Sequence, residues 1–459
     1  MFKNVKAPHT FVLLVGLIIL AVIATHFVPA GSFERFKDAE TGRTLVKAGS
    51  FAFIESNPAS LWDVPAIVYK GIVKSASIVT FILIIGGAFE IIIDTKVFSA
   101  LAQRISKLFT NRRFLVIPAF VTLFSIFGTT MGMSTEVMIF VPIGIVLAES
   151  LGLDRVTGTA MIAMGAAIGF TSGVLNPFSV GVAQSIAQLP LFSGSAYRIF
   201  ILVVLIVITS LYIMWYAKRV IADPTKSIVY GEANPPEFEL EKEEVPLDVR
   251  MSLSLLAIVL SMGILIYGLV KLDWYYEEMS GLFLTLGVVV GLIAGYDVNK
   301  IAKIFGRGCA NICVGALIIG FARGIEVVLG DAKIIDTIVY YLSNVVDGMP
   351  SSLQAVGMFL IQSLINCVIV SGSGQAVVTM PLMTPLADII GMSRQTAVLA
   401  FQLGDGFSNS VLPTSSSLMG FLVVSRIPYT NWLKFMMPLF ILWTVAGCVF
   451  MIGAILIGY

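Results

Sequence analysis

Long apolar stretches alternate with short polar connections along this chain, and most are too long for the helices of a soluble protein. Their approximate bounds are 10–30, 71–93, 114–150, 156–192, 198–217, 251–270, 281–296, 308–329, 353–390, 395–425 and 435–458. A helix needs about 20 apolar residues to cross a bilayer. The pattern therefore predicts an all-α polytopic membrane protein.

Two of the long stretches are interrupted near their middles by small polar residues. The stretch 114–150 breaks at 128–135, and the stretch 353–390 breaks at 371–375. A full crossing requires about 20 residues, and each arm is shorter than that. We expect two re-entrant hairpins, each of which carries a polar tip into the membrane and returns to the side from which it entered.

Two further stretches, 156–192 and 395–425, carry the same motif. The letters GFTSGVLNP at 169–177 recur as GFSNSVLP at 406–413. Gly and Pro interrupt helices, and broken backbone at membrane depth persists only where it is buried in protein or lines a wet cavity. Two such breaks in matching halves are typical of the midplane site of a transporter. We therefore expect two broken helices.

The placement of charges predicts the topology. Basic residues flank the loops 96–113, 218–250 and 300–307, whereas acidic residues dominate the loops 271–280 and 330–350. Basic residues favour the cytoplasmic side. If both interrupted stretches are hairpins, every one of these loops lies on its expected side. The chain then makes about nine crossings, with the N-terminus cytoplasmic and the C-terminus external, and the two hairpins open toward opposite sides.

This parity predicts two inverted repeats. The first is 1–217, the second is 281–459, and between them lie a hydrophilic cytoplasmic linker, 218–250, and a linking helix, 251–270. Four residues of the first repeat match four of the second at one constant offset: Pro142, Ala148, Gly152 and Arg155 match Pro381, Ala387, Gly391 and Arg394.

Composition narrows the class of protein. The 459 residues are 57% hydrophobic and 12% charged, and the net charge of +1 gives no reason to expect a nucleic-acid partner. There are two histidines, and the four cysteines all lie in apolar stretches. No pattern of a catalytic triad, metal ligands or a phosphate-binding loop is present. We expect no enzyme and no cofactor; Na+ or H+ is the expected coupling ion.

The hairpin tips and their acids are the first candidate site residues. Ser134, Thr135, Ser371 and Ser373 lie beside predicted helix N-termini, whose free N–H groups attract a carboxylate. Glu136 and Asp405 are ionisable groups inside membrane segments and would meet an ammonium group, Na+ or H+. Helix capping by Glu136 and a structural role for Asp405 are the alternatives. Arg323 and Glu326 are spaced to pair with each other.

Neutral oxygens around the two breaks complete the candidate set. The substrate-binding candidates are Ser134, Thr135, Glu136, Asn176, Ser371, Ser373, Gln375, Asp405, Asn409 and Thr414. The ion-coupling candidates are Thr171, Ser172, Glu136, Asp405, Ser408 and Asn409. A single Ser or Thr in a helix usually bonds its own backbone, but the recurrence of the set at matching places favours a site.

These motifs resemble the YfcC-like carriers of the anaerobic C4-dicarboxylate carrier family, in the ion transporter superfamily. The resemblance covers nearly the whole chain and depends on the tip 371–375, on 380–385, and on the segments 403–409 and 132–136. It implies paired hairpins and broken helices, a homodimer and elevator-type movement in the inner membrane. It leaves two substrate classes open, dicarboxylates and basic amino acids.

The residues favour one function among the alternatives. Four acids in apolar stretches, Glu90, Glu136, Glu326 and Asp405, stand against one arginine, Arg323. This balance favours a solute or ion with positive charge, so we expect a secondary active transporter of a small carboxylate-bearing solute, with an amino acid preferred. A C4-dicarboxylate carrier is the alternative, since helix N-termini can replace cationic side chains. An ion channel fits inverted halves less well.

Overall fold

The computed structural model describes residues 10–37, 44–47, 49–97, 100, 112–176, 178–232, 248–272, 274, 276–347 and 351–459. Several residues that the topology prediction used lie outside this part of the chain. They are Arg104 and Lys107 of the first basic loop, Pro177 of the first break, Asp273, and the linker residues 233–247.

Seventeen α-helices make up most of the described chain. In chain order they are α1 Thr10–Phe27, α2 Val64–Lys74, α3 Ala76–Asp94, α4 Val116–Met131, α5 Val141–Ser150, α6 Arg155–Ser172, α7 Val180–Ile186, α8 Ser195–Ala222, α9 Val249–Lys271, α10 Tyr276–Ile293, α11 Val298–Asp331, α12 Ile335–Asp347, α13 Ser351–Asn366, α14 Gly372–Ile389, α15 Arg394–Ser408, α16 Ser416–Ser425 and α17 Tyr429–Leu456.

Four short strands lie between α1 and α2. Strand β1 (Gly31–Ser32) pairs with β4 (Ala52–Phe53), and β2 (Arg35–Lys37) pairs with β3 (Thr44–Val46); both pairs are antiparallel. Strand β3 packs against α14, and β1 packs against α12. This small β region therefore belongs to the same end of the molecule as the segment around α12.

Many helices begin where the sequence offers a short polar side chain. Such a side chain accepts a hydrogen bond from a backbone N–H in the first turn, which the helix itself cannot satisfy. The caps of α6, α9, α11, α15 and α16 are Asp154, Asp248, Asp297, Ser393 and Ser415. These caps fix the starts of both broken helices and of the segment after the second break.

The first interruption lies within the predicted one and is shorter, whereas the second, 367–371, lies mostly before the predicted 371–375. Helix α4 continues to Met131 and ends at Gly132, whose φ of 64° is left-handed. Residue Gly128 is helical, and its bare face lies against the carbonyl of Ala166, where an added Cβ would be 2.3 Å from the oxygen. The second interruption lies between α13 and α14, and Gly372 already belongs to α14.

Six helical segments of the described chain are long and apolar enough to cross a membrane. They are Ala76–Asp94, Arg113–Thr130, Ser195–Ala222, Tyr276–Ile293, Val298–Asp331 and Tyr429–Leu456. Shorter apolar helices include Phe11–Phe27, Val249–Leu265, Leu353–Asn366 and Ser416–Ser425. The chain is thus a multi-pass membrane protein, and the exact number of crossings stays a prediction.

The two broken helices cross each other at their breaks. A Cβ on Gly406 of α15 would lie 2.3 Å from Oγ1 of Thr171 on α6. On the other side of the crossing, a Cβ on Gly173 would lie 2.9 Å from the Gln402 side chain. The amide Nε2 of Gln402 donates to the carbonyl of Phe170 at 2.6 Å. The crossing therefore needs bare backbone on each helix.

Each broken helix also packs closely on the first arm of its own hairpin. An added Cβ on Gly169 of α6 would lie 2.1 Å from the carbonyl oxygen of Ser125 on α4. An added Cβ on Gly404 of α15 would lie 2.6 Å from Cβ of Gln362 on α13. Helices in membranes associate through such small residues because close packing replaces the hydrophobic driving force.

The contacts at the helix ends show that the two broken helices run in opposite directions. At one end, Glu232 of the linker accepts from Arg155 Nη2 at 2.6 Å and from Asn431 Nδ2 at 2.8 Å. This end therefore holds the start of α6 and the start of α17, which follows α16. At the other end, Arg394 Nη1 at the start of α15 donates to the carbonyl of Ala187 at 3.1 Å, just after α7.

The β region is tied to the segment around α12 by buried charge. Asp336 is 6% exposed, and its carboxylate accepts from the Phe33 N–H at 3.1 Å and from Arg35 Nη2 at 2.8 Å. Nearby, Lys70 Nζ donates to Asp331 at 2.7 Å. The count of crossings places the loops 31–70 and 330–350 on the same, external side, although Arg35, Arg43 and Lys47 in the first loop disagree weakly with that side. In the structure the two loops meet.

Replacing Gly406 by Ala is expected to destabilise the protein by about 1–3 kcal/mol, because the new methyl group overpacks the crossing against Thr171. Thermal unfolding of the purified protein measures the change. Gly306→Ala is the matched control: Gly306 also lies within a helix, and a Cβ there meets no atom within 4 Å. An equal unfolding midpoint for both variants would show that the crossing is not tightly packed.

Candidate functional site

A cavity of about 330 Å³ lies between the two hairpin tips. Its wall includes the first tip, the second tip, the first turn of α16 and Arg323 of α11. Four aromatic residues close the remainder: Phe170, Phe178, Trp274 and Tyr276. Elements from both halves of the chain therefore contribute to one space.

The first tip is a tight polar turn between α4 and a short 3-10 helix, Glu136–Phe140. The carboxylate of Glu136 accepts the N–H of Ser134 at 3.0 Å, so it caps the turn that precedes it. Hydroxyls then link the tip to α16: Ser417 Oγ lies 2.8 Å from Ser134 Oγ and 2.9 Å from Thr135 Oγ1. Glu136 thus has the capping role and also lines the cavity.

The second tip presents a helix N-terminus to the cavity. Ser371 precedes α14, and its hydroxyl accepts the N–H of Gly374 at 3.3 Å. Gly372 and Ser373 line the cavity in the first turn of α14. The start of α16 also reaches the wall through Ser415, Ser416 and Ser417. Two helix N-termini that line one cavity favour a bound anion such as a carboxylate.

Arg323 supplies a positive side chain to the wall. Its Nη1 donates to Oε2 of Glu326 at 2.5 Å, so the local pair that the spacing predicts is formed. Lys74 Nζ donates to the other oxygen of Glu326 at 2.9 Å. In the sequence, Arg323 is one of the ionisable groups inside membrane segments, but spacing along one helix shows only that it can pair with Glu326 and not that its guanidinium reaches the cavity.

Asp405 lies directly beneath the second tip rather than in the cavity wall. It is 0% exposed, and a Cβ on Gly372 would lie 3.0 Å from its Oδ2. Neither carboxylate oxygen makes a well-formed hydrogen bond in the described part of the chain, although the side chain of Asn409 lies close to the carboxyl group. A buried carboxylate without a partner is costly, so this position suits a bound cation or a proton.

Asn366, at the end of α13, organises the polar layer around Asp405, although it is not among the residues predicted for the site. Its Nδ2 donates to the Asp405 carbonyl at 3.0 Å, to Ser408 Oγ at 2.8 Å and to Asn409 Oδ1 at 3.1 Å. Its own Oδ1 is buried without a partner among the described residues. The sequence signal that could have indicated Asn366 is its place as a polar residue at the end of the apolar first arm of the second hairpin.

The structure brings six of the predicted site residues together around the cavity. These are Ser134, Thr135, Glu136, Ser371, Ser373 and Asn409. Asp405 and Ser408 lie in the buried layer with Asn366. Thr414 is not part of the cavity wall, and its hydroxyl is buried without a partner in the described chain.

The remaining predicted residues make contacts that hold the breaks in place. The hydroxyl of Thr171 donates to the Ala167 carbonyl at 2.7 Å, and that of Ser172 to the Gly169 carbonyl at 2.8 Å. Asn176 Oδ1 accepts the N–H groups of Phe178 and Ser179 at 2.9 and 3.3 Å.

Gln375 likewise lies outside the cavity wall. It is fully buried, and its Nε2 donates to the carbonyl and to the side-chain oxygen of Gln362 at 2.9 and 2.7 Å. These bonds join the two arms of the second hairpin. Gln375 is the fourth residue of α14, and its side chain faces the other arm of the hairpin. Its distance from the tip along the sequence does not show which face of the helix it occupies.

Comparisons with known proteins agree with a transporter. The family model described as "C4-dicarboxylate anaerobic carrier" matches residues 7–456. An Escherichia coli (strain K12) protein named "Putative basic amino acid antiporter YfcC" is 34% identical over 98% of this chain and 97% of its own. A Haemophilus influenzae (strain Rd) protein, named "Uncharacterized protein", is 28% identical over 99% of this chain and 97% of its own.

Among solved structures, the Alcanivorax borkumensis YdaH transporter is similar, with a TM-score of 0.42 and 14% sequence identity. The match covers 98% of this chain and 99% of that one. The family assignment depends on the sequence comparisons, which span nearly the full length. The chain belongs to the C4-dicarboxylate anaerobic carrier family.

Proposed function

We propose that this protein is a secondary active transporter of a small carboxylate-bearing solute, with an amino acid preferred over a dicarboxylate. The observation that carries the proposal is the mixed charge of the cavity wall. The acid Glu136, the cation Arg323 and two helix N-termini line one space. A zwitterion needs both kinds of contact, because a buried charge without a partner is costly.

The solute carboxylate would bind at Ser134, Ser373 and the free N–H groups of the second tip. Its ammonium group would lie toward Glu136, and the aromatic wall at Trp274 and Tyr276 adds faces that attract cations. The name of the Escherichia coli relative, a basic amino acid antiporter, supports an amino acid.

A C4-dicarboxylate is the second candidate. The observation that favours it is that Arg323 and the starts of α14 and α16 offer three separate contacts for negative charge. The description of the family supports the same substrate. Under this alternative Glu136 has only its capping role, toward the N–H of Ser134.

We further propose that the chain is built from two inverted repeats, 1–217 and 281–459. The same order of elements supports this: α2–α3, hairpin, broken helix and long helix recur as α11, hairpin, broken helix and long helix. The opposite directions of the broken helices support the inversion. Movement of the hairpins and broken helices as one body, in a homodimer in the inner membrane, is the mechanism that we propose.

The substrate is tested by uptake into proteoliposomes that contain the purified protein. We expect saturable uptake of arginine or ornithine, with counterflow, and weaker uptake of neutral amino acids and succinate. Glu136→Gln should weaken uptake of the cationic amino acids. Glu90→Gln is the matched control, because Glu90 pairs with Arg307 at 2.8 Å, away from the cavity wall. Uptake of succinate alone would exclude the amino acid, and a single-channel current would exclude a carrier.

Asp405→Asn tests ion coupling. We propose that Asp405 binds the coupling Na+ or H+, so the variant should lose stimulation of uptake by an ion or pH gradient. The control is Asp388→Asn. Asp388 lies at the end of α14 opposite the hairpin tip, and its carboxylate pairs with Arg394 at 2.7 Å. If Asp405→Asn leaves both the affinity and the ion dependence of uptake unchanged, Asp405 is structural.

The inverted topology is tested by cysteine labelling in a variant without its four native cysteines. Cysteines at Leu115 and Lys226 should react with an impermeant thiol reagent from the cytoplasmic side, and those at Trp62 and Leu191 from the external side. All four positions are exposed in the structure. If the cysteines at Leu115 and Lys226 react from opposite sides of the membrane, the first hairpin and the inverted repeats are ruled out.

A further inference from the structure

The charge of Arg323 is not accounted for by its ion pair. Glu326 already receives Lys74 at 2.9 Å, so Lys74 alone neutralises its carboxylate. Arg323 at 2.5 Å is a second cation on the same acid, which gives the three side chains a net charge of +1. A partly buried charge in a membrane segment is expensive and usually functional.

The position of Arg323 directs this surplus charge toward the cavity. Among the described residues that line it, Arg323 is the one Lys or Arg side chain. The guanidinium is bonded to Glu326 through Nη1, and the structure shows no hydrogen bond from its Nε or Nη2 to the described residues. One edge of the group is therefore held in place, while its other edge remains free for a ligand.

The free edge has the geometry that a carboxylate requires. A guanidinium presents parallel N–H donors, and these bind both oxygens of a carboxylate at once. The fixed contact to Glu326 reduces the entropy that the long side chain would lose when a ligand binds.

We propose that Arg323 binds the carboxylate of the transported solute and thereby sets the selectivity for solutes with a free carboxylate. This inference rests on the proposed transport function. It adds a specificity residue that comes from α11, which packs against α2 and α3. The hairpin tips and Arg323 then contact the solute from different parts of the fold.

The experiment compares ligands that differ in one carboxylate. Competition with uptake in proteoliposomes gives the inhibition constants of arginine against agmatine, and of succinate against succinamate. In the wild-type protein the ligand with the additional carboxylate should bind at least about tenfold more tightly, which is the range for a charged hydrogen bond. In Arg323→Gln this ratio should fall several-fold, to the part that the hairpin tips alone supply. Lys74→Gln, which removes the other partner of Glu326, should keep it.

A double variant separates ligand binding from ion pairing. If Arg323 only neutralises Glu326, then Arg323→Gln/Glu326→Gln removes both charges and should restore the wild-type ratio. Our proposal predicts that the ratio in the double variant stays as low as in Arg323→Gln. Glu326→Gln alone should lower the ratio only in part, because Arg323 keeps its charge but loses the contact that holds one edge in place. Arg323→Lys should recover part of the ratio, because a lysine keeps the charge without the planar fork.

The outcomes distinguish this inference from the proposed function. A ratio that is unchanged in Arg323→Gln, with uptake intact, overturns the role of Arg323 and leaves the transport function standing. A collapse of the ratio for succinate alone supports Arg323 and replaces the amino acid by a dicarboxylate. If the wild-type protein takes up neither arginine nor succinate, both the function and the inference fail.

Discussion

The close crossing of two interrupted helices is the constraint on which the other features of the site depend. The backbone of Gly406 touches the side chain of Thr171, and the backbone of Gly173 touches the side chain of Gln402. Each helix is also pressed against the first arm of its own hairpin through a bare glycine face. The cavity between the tips is bordered by residues next to this crossing, Phe170 and Asn409. Packing of this kind tolerates little change in volume.

Much of this arrangement follows from local sequence. The breaks lie where Gly, Ser, Thr and Asn replace apolar residues, because such residues interrupt helices and cap the next ones. Ser371 and Ser415 therefore mark starts of helices that the structure places at the cavity. The serine and threonine hydroxyls of the first tip also lie where the pattern predicts a polar turn. Helix ends are properties of a few neighbouring residues, so one sequence can specify them.

Other features depend on contacts between distant segments and were not predictable in this way. Gln375 lies one turn into α14, but its side chain points to Gln362 of the other arm. The hydroxyl of Ser417 reaches Ser134 across 283 positions of sequence. The tilt and rotation of a packed helix decide which of its faces meets a cavity, and hydropathy cannot give that rotation when all faces are apolar. Asn366 and Arg323 were undervalued for the same reason.

The hydroxyl of Ser417 has a consequence for how the molecule can change shape. It joins the tip of the first half to a helix that belongs to the second half, and it does so through two bonds at once. Any displacement of the first tip must carry the start of α16 with it, or must break both bonds. Which segments could move together is thus set by these hydrogen bonds and not by the order of the helices along the sequence. Under the mechanism proposed above, a solute held between the tips would travel with a body assembled from two separate stretches of polypeptide.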